Sequence, residues 1–120
     1  MGLWIYLYRK KWVSYDEGET HTIEDEELYS TNITHNLIAM ADEAGIYKAL
    51  WHPEELGITT AGRLIPIFEM AIVDMKARPD FYKKLNPANG WGSYNVFIPW
   101  IAEYLQACKE NPEALVRASG

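Results

Sequence analysis

An α+β fold, a small antiparallel sheet packed against about three main helices, is what these 120 residues predict. Three observations carry that prediction. The N-terminal part alternates large side chains without helical periodicity. The middle and late segments repeat apolar residues at spacings of three and four. A short segment after Asn111-Pro112, "ALVRA", is a further strand candidate. Strands, then helices, then a closing strand is the order of helices gathered on one face of a sheet. With 48% hydrophobic and 23% charged residues, a single domain spanning 1–120 with one hydrophobic core is expected.

The elements follow in order. Leu3 to Arg9, "LWIYLYR", reads as a strand, and Lys11 to Tyr15 continues it. Asp16-Glu17-Gly18-Glu19 supplies turn chemistry, and Thr20 to Leu28, "THTIEDEEL", is a poorer strand. The character changes at Ser30. From Thr34 to Ala44 the apolar residues Leu37, Met40, Ala41 and Ala44 share one helical face. Thr34 or Asn32 can cap that helix and Gly45 can end it. Ile46 to Leu50 is short, and Pro53 followed by Glu54 and Glu55 opens a single turn.

Thr59 or Thr60 can cap the next helix, which runs to about Ala77 on a wide stripe of Leu64, Ile67/Phe68, Ala71/Ile72 and Met75. Pro66 must bend it or make its start irregular. Pro79 ends it, and Asp80 to Leu85 forms a further short turn. Tyr94 to Lys109 is the last helix, where Val96/Phe97, Trp100/Ile101, Tyr104/Leu105 and Cys108 recur at three and four residues, with Ser93 or Asn95 as cap. Asn111-Pro112 stops it, and Ala114 to Ala118 is the candidate closing strand.

Charge and cysteine content narrow the function classes. A net charge of −6 and a pI near 5.0 oppose bulk nucleic-acid binding, which needs a basic face. The lone Cys108 excludes an intramolecular disulfide and a multi-cysteine zinc site, and suits a reducing cytoplasm. No apolar run is long enough to span a membrane, and the N-terminus lacks the order of a secretory signal. A cytoplasmic protein is therefore expected.

Catalytic and metal signatures are missing. His21, His35 and His52 match no compact zinc spacing, and Glu24-Asp25-Glu26-Glu27 lacks the calcium-loop pattern. That acidic run reads as a solvated face or a charged strand edge. There is no nucleophile elbow, phosphate-binding P-loop or dinucleotide fingerprint. Cys108 reads as a buried structural thiol, and nothing near His52 in sequence supplies a partner for acid–base work. No catalytic residue, metal or cofactor is assigned.

Two polar-aromatic segments stand out. Asn32-Ile33-Thr34-His35-Asn36 gathers amides, a hydroxyl and an imidazole at an expected helix start, where backbone N–H groups favour anions. It is either a pocket wall or a cap with a locally satisfied histidine. Asn86 to Tyr94, "NPANGWGSY", sets Trp91 between two glycines before Ser93 caps a helix. There Trp91 is either a lid on the core or, with Tyr94, a stacking platform or anchor.

"STNITHNLIAMADEAGIYKALWHPEE", "NGWGSYNVFIPWIAEYLQAC" and "NPEALVRAS" carry a family resemblance over roughly Tyr29 to Ser119. The chain resembles a family of short bacterial and phage-encoded proteins of unassigned function, with N-I-T-H-N-L and N-G-W-G-x-Y segments. The resemblance points at the same two segments and implies a phage-related setting, with the host cytoplasm as the place of action. The reading this favours is a non-catalytic protein binding a small polar, nucleotide-like molecule, for example by sequestering a host signalling nucleotide. Asn32, Thr34, His35 and Asn36 would form one wall, and Asn89, Trp91, Ser93 and Tyr94 the other. Lys83, Lys84 or Arg63 would offset the global acidity for a phosphate. The alternative is an interaction or inhibitor module acting through an aromatic surface, with "LWIYLY" offering a face to a second subunit in a homo-oligomer. A hydrolase using His35 or His52 as base is the third class.

Overall fold

A computed structural model describes residues 2–15 and 20–120; the turn expected at Asp16–Glu19 lies outside the described residues. Strand β1 (Gly2–Tyr15) pairs antiparallel with β2 (Thr20–Thr34) along its whole length. Over Trp4 to Tyr8, β1 also pairs antiparallel with the closing strand β3 (Leu115–Ser119), giving the order β2-β1-β3. The fold is α+β, a three-stranded antiparallel sheet with the main helices on one face.

β2 runs beyond Leu28 and through Ser30 to Thr34. The strand partner decides this: Tyr29, Thr31 and Ile33 sit opposite Leu7, Ile5 and Leu3, whose side chains are fully buried. Leu28 is left out of the pairing, since Leu7 faces Tyr29 while Tyr8 faces Glu27. This one-residue bulge moves every side chain of β2 before it to the opposite face. Ile23, Asp25 and Glu27 therefore lie on the face away from the helices, beside Trp12, Lys10 and Tyr8.

Thr34 caps a short 3-10 turn, His35–Leu37, its Oγ1 accepting from the Asn36 N–H at 3.2 Å. α1 (Ile38–Glu43) follows, and Gly45 ends the segment at φ 77°, the left-handed region. α2 (Tyr47–Trp51) and the turn Pro53–Leu56 come next. A 3-10 turn at Ala61–Leu64 leads into α3 (Ile65–Ala77), so Pro66 falls in the first turn and the irregular start expected from it is found there. Arg78 separates α3 from α4 (Pro79–Lys83). α5 (Tyr94–Glu110) is capped by Ser93, whose Oγ accepts from the Val96 N–H at 3.3 Å.

The core lies between the inner sheet face and α3 and α5. Phe68, Met75, Phe97 and Ile101 are fully buried there. Tyr104 packs on Phe68 at 5.0 Å between ring centres, meets Trp100 at 5.9 Å and stacks on Tyr29 at 6.2 Å. The Trp100 indole N–H reaches the Thr31 hydroxyl at 2.8 Å, tying α5 to β2. Beyond Tyr8 the hairpin leaves the body as a two-stranded arm. The long dimension is 60 Å and the radius of gyration 16.5 Å, against about 13–14 Å for a compact chain of this length. Among the described residues no helix is long and apolar enough to cross a membrane.

Burial raises the proton affinity of four groups, Tyr29, Tyr82, Tyr104 and Cys108. The Cys108 thiol is pushed up to about 12 by desolvation, and Tyr82 to about 12 by desolvation and by the Asp74 carboxylate that accepts its hydrogen bond. Desolvation lifts Tyr104 well above its ordinary value. In the unfolded chain these groups ionise near their ordinary values of 9.0 and 10.0, while the folded chain still holds its protons. The unfolded state then binds fewer protons, so stability falls as pH rises. Stability should therefore fall as pH rises from about 9 toward about 12, so the melting midpoint followed by circular dichroism should drop across that window. At pH 8 a thiol reagent should label Cys108 only after denaturant is added.

Candidate ligand-binding groove

The site begins with strand register. Trp4 of β1 pairs with Asn32 of β2, and Gly2 with Thr34, so these residues share the outer sheet face. Gly2 contributes no side chain, which leaves the space beside Thr34 and Trp4 open. The loop between α4 and α5 supplies the facing wall. Its shape is held by two asparagine side chains: Asn86 Oδ1 accepts from the Tyr94 N–H at 2.8 Å, and Asn89 Oδ1 from the Trp91 N–H at 3.0 Å. Gly90 and Gly92 take φ 75° and 92°, where a side chain is strained. A Cβ on Gly92 would stand 2.8 Å from Thr34 Cγ2 and 3.0 Å from Leu37 Cγ. The loop thus lies directly against the end of β2, and the two segments singled out in sequence meet at that contact.

The result is an open groove of about 450 Å³ walled by Trp4, Asn32, Thr34, Trp91 and Val96, with Ile33 and the backbone of Gly2 and Gly92. Trp4 is 48% exposed, Trp91 69% and Val96 52%, so two indoles and a valine stand in solvent around one depression. Among the described residues, none that lines the groove is charged. The groove therefore offers aromatic faces, an amide able to donate and accept, and a hydroxyl.

The other expected residues are placed as follows. Asn36 is exposed beside the Thr34 cap, Asn89 shapes the loop, and Ser93 caps α5. Tyr94 turns inward, 9% exposed, its hydroxyl donating to the Met75 carbonyl at 2.9 Å. It forms no platform with Trp91, because the first helical turn of α5 rotates it to the core side. His35 turns away from the groove toward Trp51, 6.0 Å between ring centres, and toward the backbone of Gly120. His35 Nε2 and Trp51 Nε1 are both buried with no hydrogen-bond partner among the described residues.

The anion site expected at the start of a helix near Asn32–Asn36 has little to stand on. The 3-10 turn there has three residues and α1 six, too few aligned peptides for a useful dipole. Lys83, Lys84 and Arg63 are likewise not groove residues; Lys83 lies over the Tyr94 ring at 5.5 Å.

Sequence reading missed Trp4 and Val96 as site residues. Trp4 was legible only as one aromatic of an alternating strand, and its register to Asn32 is what places it. It also left His52 without a partner. In the fold His52 Nε2 meets the Tyr47 hydroxyl at 3.2 Å, while Nδ1 lies 3.5 Å from Glu54 and 3.6 Å from Glu55. These three are the set among the described residues that could together hold a metal ion, and all three are substantially exposed.

Fold and site define a class: a three-stranded antiparallel sheet with one open face and a tryptophan-walled groove at its end. Comparison with family models, curated proteins and solved structures returns no match.

Proposed function

We propose that this protein binds a small polar molecule carrying a planar ring, of the nucleoside or nucleotide class, in the Trp4–Trp91 groove, without transforming it. One observation carries the reading: two exposed indoles far apart in sequence, Trp4 and Trp91, wall one groove together with Asn32. Exposed tryptophans in a depression suit a stacked ring, and an asparagine can read a base edge through paired hydrogen bonds. The uncharged lining favours recognition through the ring, with any phosphate directed to solvent. Sequestration of a host nucleotide by a phage-encoded protein is the setting the family resemblance suggests.

The test is thermal shift and tryptophan fluorescence against a panel of nucleosides, nucleotides and cyclic nucleotides. At least one member should raise the melting midpoint, with the nucleoside binding within a few-fold of its nucleotide. Trp91→Ala should weaken that binding about 5- to 150-fold, the range of one lost base-stacking contact. A panel that leaves the midpoint unmoved would sink the reading.

A second reading, an interaction module working through an aromatic surface and including a homo-oligomer, is favoured by a different observation. The helices pack on one sheet face only, and Trp4 and Trp12 stand exposed on the other.

A further inference from the structure

We infer that the outer face of the sheet and its arm is the docking surface for a second copy of this chain; the inference rests on the interaction reading, and faces stacked in this way would cover Trp4 and Asn32 of the ligand groove. Along β1 the outward residues are Trp4, Tyr6, Tyr8, Lys10 and Trp12, an aromatic row interrupted by one cation. Opposite the distal part of that row stand Ile23, Asp25 and Glu27. The arm's two faces differ sharply. The face on the helix side carries Arg9 paired with Glu26 and Lys11 beside it, a solvated charge ladder. The outer face carries Trp12, 69% exposed, against Ile23, 57% exposed. A two-stranded hairpin alone is marginal in water, so this arm gains most from cover on its apolar side.

Three features select a second copy as the occupant. The first is charge. Among the described residues, Lys10 and Arg117 balance Asp25 and Glu27 on this face, while the whole chain carries −6. Lys10 and Arg117 both hydrogen-bond Asp25, and with the Lys10 bond as the larger cause they hold its carboxyl below the usual range. A polyanion would meet the two carboxylates, whereas a face of equal and opposite charges complements itself.

The second feature is that Tyr8 has no free ring for stacking a base: Arg117 lies over it at 4.5 Å and Lys10 at 5.6 Å. Aromatic residues with arginine are instead the composition of protein interfaces. The third is size. Fourteen residues of β1 span about 46 Å, and two to three strands add about 10–14 Å, so the footprint is roughly 500–600 Å² per copy. That lies at the lower end of specific dimers, about 600 Å² per partner.

A two-fold axis parallel to the strands stacks the outer faces and sets β1 of each copy over β2 of the other. Lys10 then faces the partner's acidic row, and the isologous contact closes on itself.

Sedimentation velocity on the full chain from 5 to about 500 µM tests this. The mass should rise from 13.8 kDa toward twice that value with concentration. Trp12→Glu with Ile23→Lys lies about 27 Å of strand from Trp4, so it leaves the groove intact. It should weaken self-association at least tenfold with the circular dichroism spectrum unchanged. Lys10→Asp and Asp25→Lys variants should each be monomeric and form a heterodimer when mixed.

A wild type that stays at monomer mass, or a Trp12→Glu, Ile23→Lys variant that associates as the wild type does, overturns the second copy. If such a monomer still captures a host protein in a Trp12-dependent way, the interaction reading survives. If it captures none, that reading falls as well.

Discussion

Gly92→Ala should lower stability by about 2–5 kcal/mol and open the groove. Two costs add at that position. The backbone holds φ 92°, and a side chain in the left-handed region costs about 1–2 kcal/mol. The added methyl would also meet Thr34 Cγ2 at 2.8 Å and Leu37 Cγ at 3.0 Å, an overpacking worth about 1–3 kcal/mol. Leu37 is fully buried, so its side chain has little room to yield. The melting midpoint should fall by about 8–20 °C, measured by calorimetry. Gly90 is the control: φ is 75° but nothing lies within 4 Å of its Cβ position. Gly90→Ala should therefore cost only the backbone share, about 1–2 kcal/mol. Equal losses at the two glycines would show that loop strain alone, and no contact with β2, shapes the groove. If the groove binds its ligand as proposed, Gly92→Ala should weaken binding even at temperatures where it is folded, because Trp91 is the neighbouring residue.

Tyr104→Ala should be more damaging to the fold, by about 3–5 kcal/mol, the range for deleting a buried aromatic ring. Tyr104 is 1% exposed and contacts rings from three elements: Tyr29 of β2, Phe68 of α3 and Trp100 of α5. Removing it leaves a cavity at the point where sheet and helices join. Total stabilities of small domains are about 5–15 kcal/mol, so the variant should unfold near physiological temperature or lose fixed tertiary packing. Near-ultraviolet circular dichroism and urea unfolding would measure this. Tyr104→Phe keeps every ring contact and should cost about 1 kcal/mol or less. A near-silent Tyr104→Ala would mean that the helices dock on the sheet through other contacts.

Much of the fold was legible because local chemistry and tertiary demand agree. Alternation in "LWIYLY" is a strand with one buried face, and Leu3, Ile5 and Leu7 are that face. Ser93, Gly45 and Pro66 act where their backbone preferences place them. Segments of weaker signal were decided by partners. β2 extends through Ser30 to Thr34 because β1 offers it a ladder and an apolar row to cover. The Leu28 bulge is not marked in the local sequence, yet it turns Ile23 and the acids Asp25 and Glu27 to the outer face.

The candidate site divides along the same line. Composition and spacing by themselves determined that "NITHN" and "NPANGWGSY" are turn-and-cap segments with polar and aromatic side chains to spare. They also determined that Trp91 sits in a backbone only glycines can shape, and that Cys108 belongs inside. The direction of each side chain was decided by the tertiary structure alone. Trp91 points outward, Tyr94 to Met75, and His35 toward Trp51. The physical reason is that a turn fixes only a few backbone angles, whereas orientation depends on what the rest of the chain has packed alongside. Gly92 against Thr34 and Leu37 is the contact that made one groove of two distant segments, and no local pattern encodes a contact between residues 34 and 92.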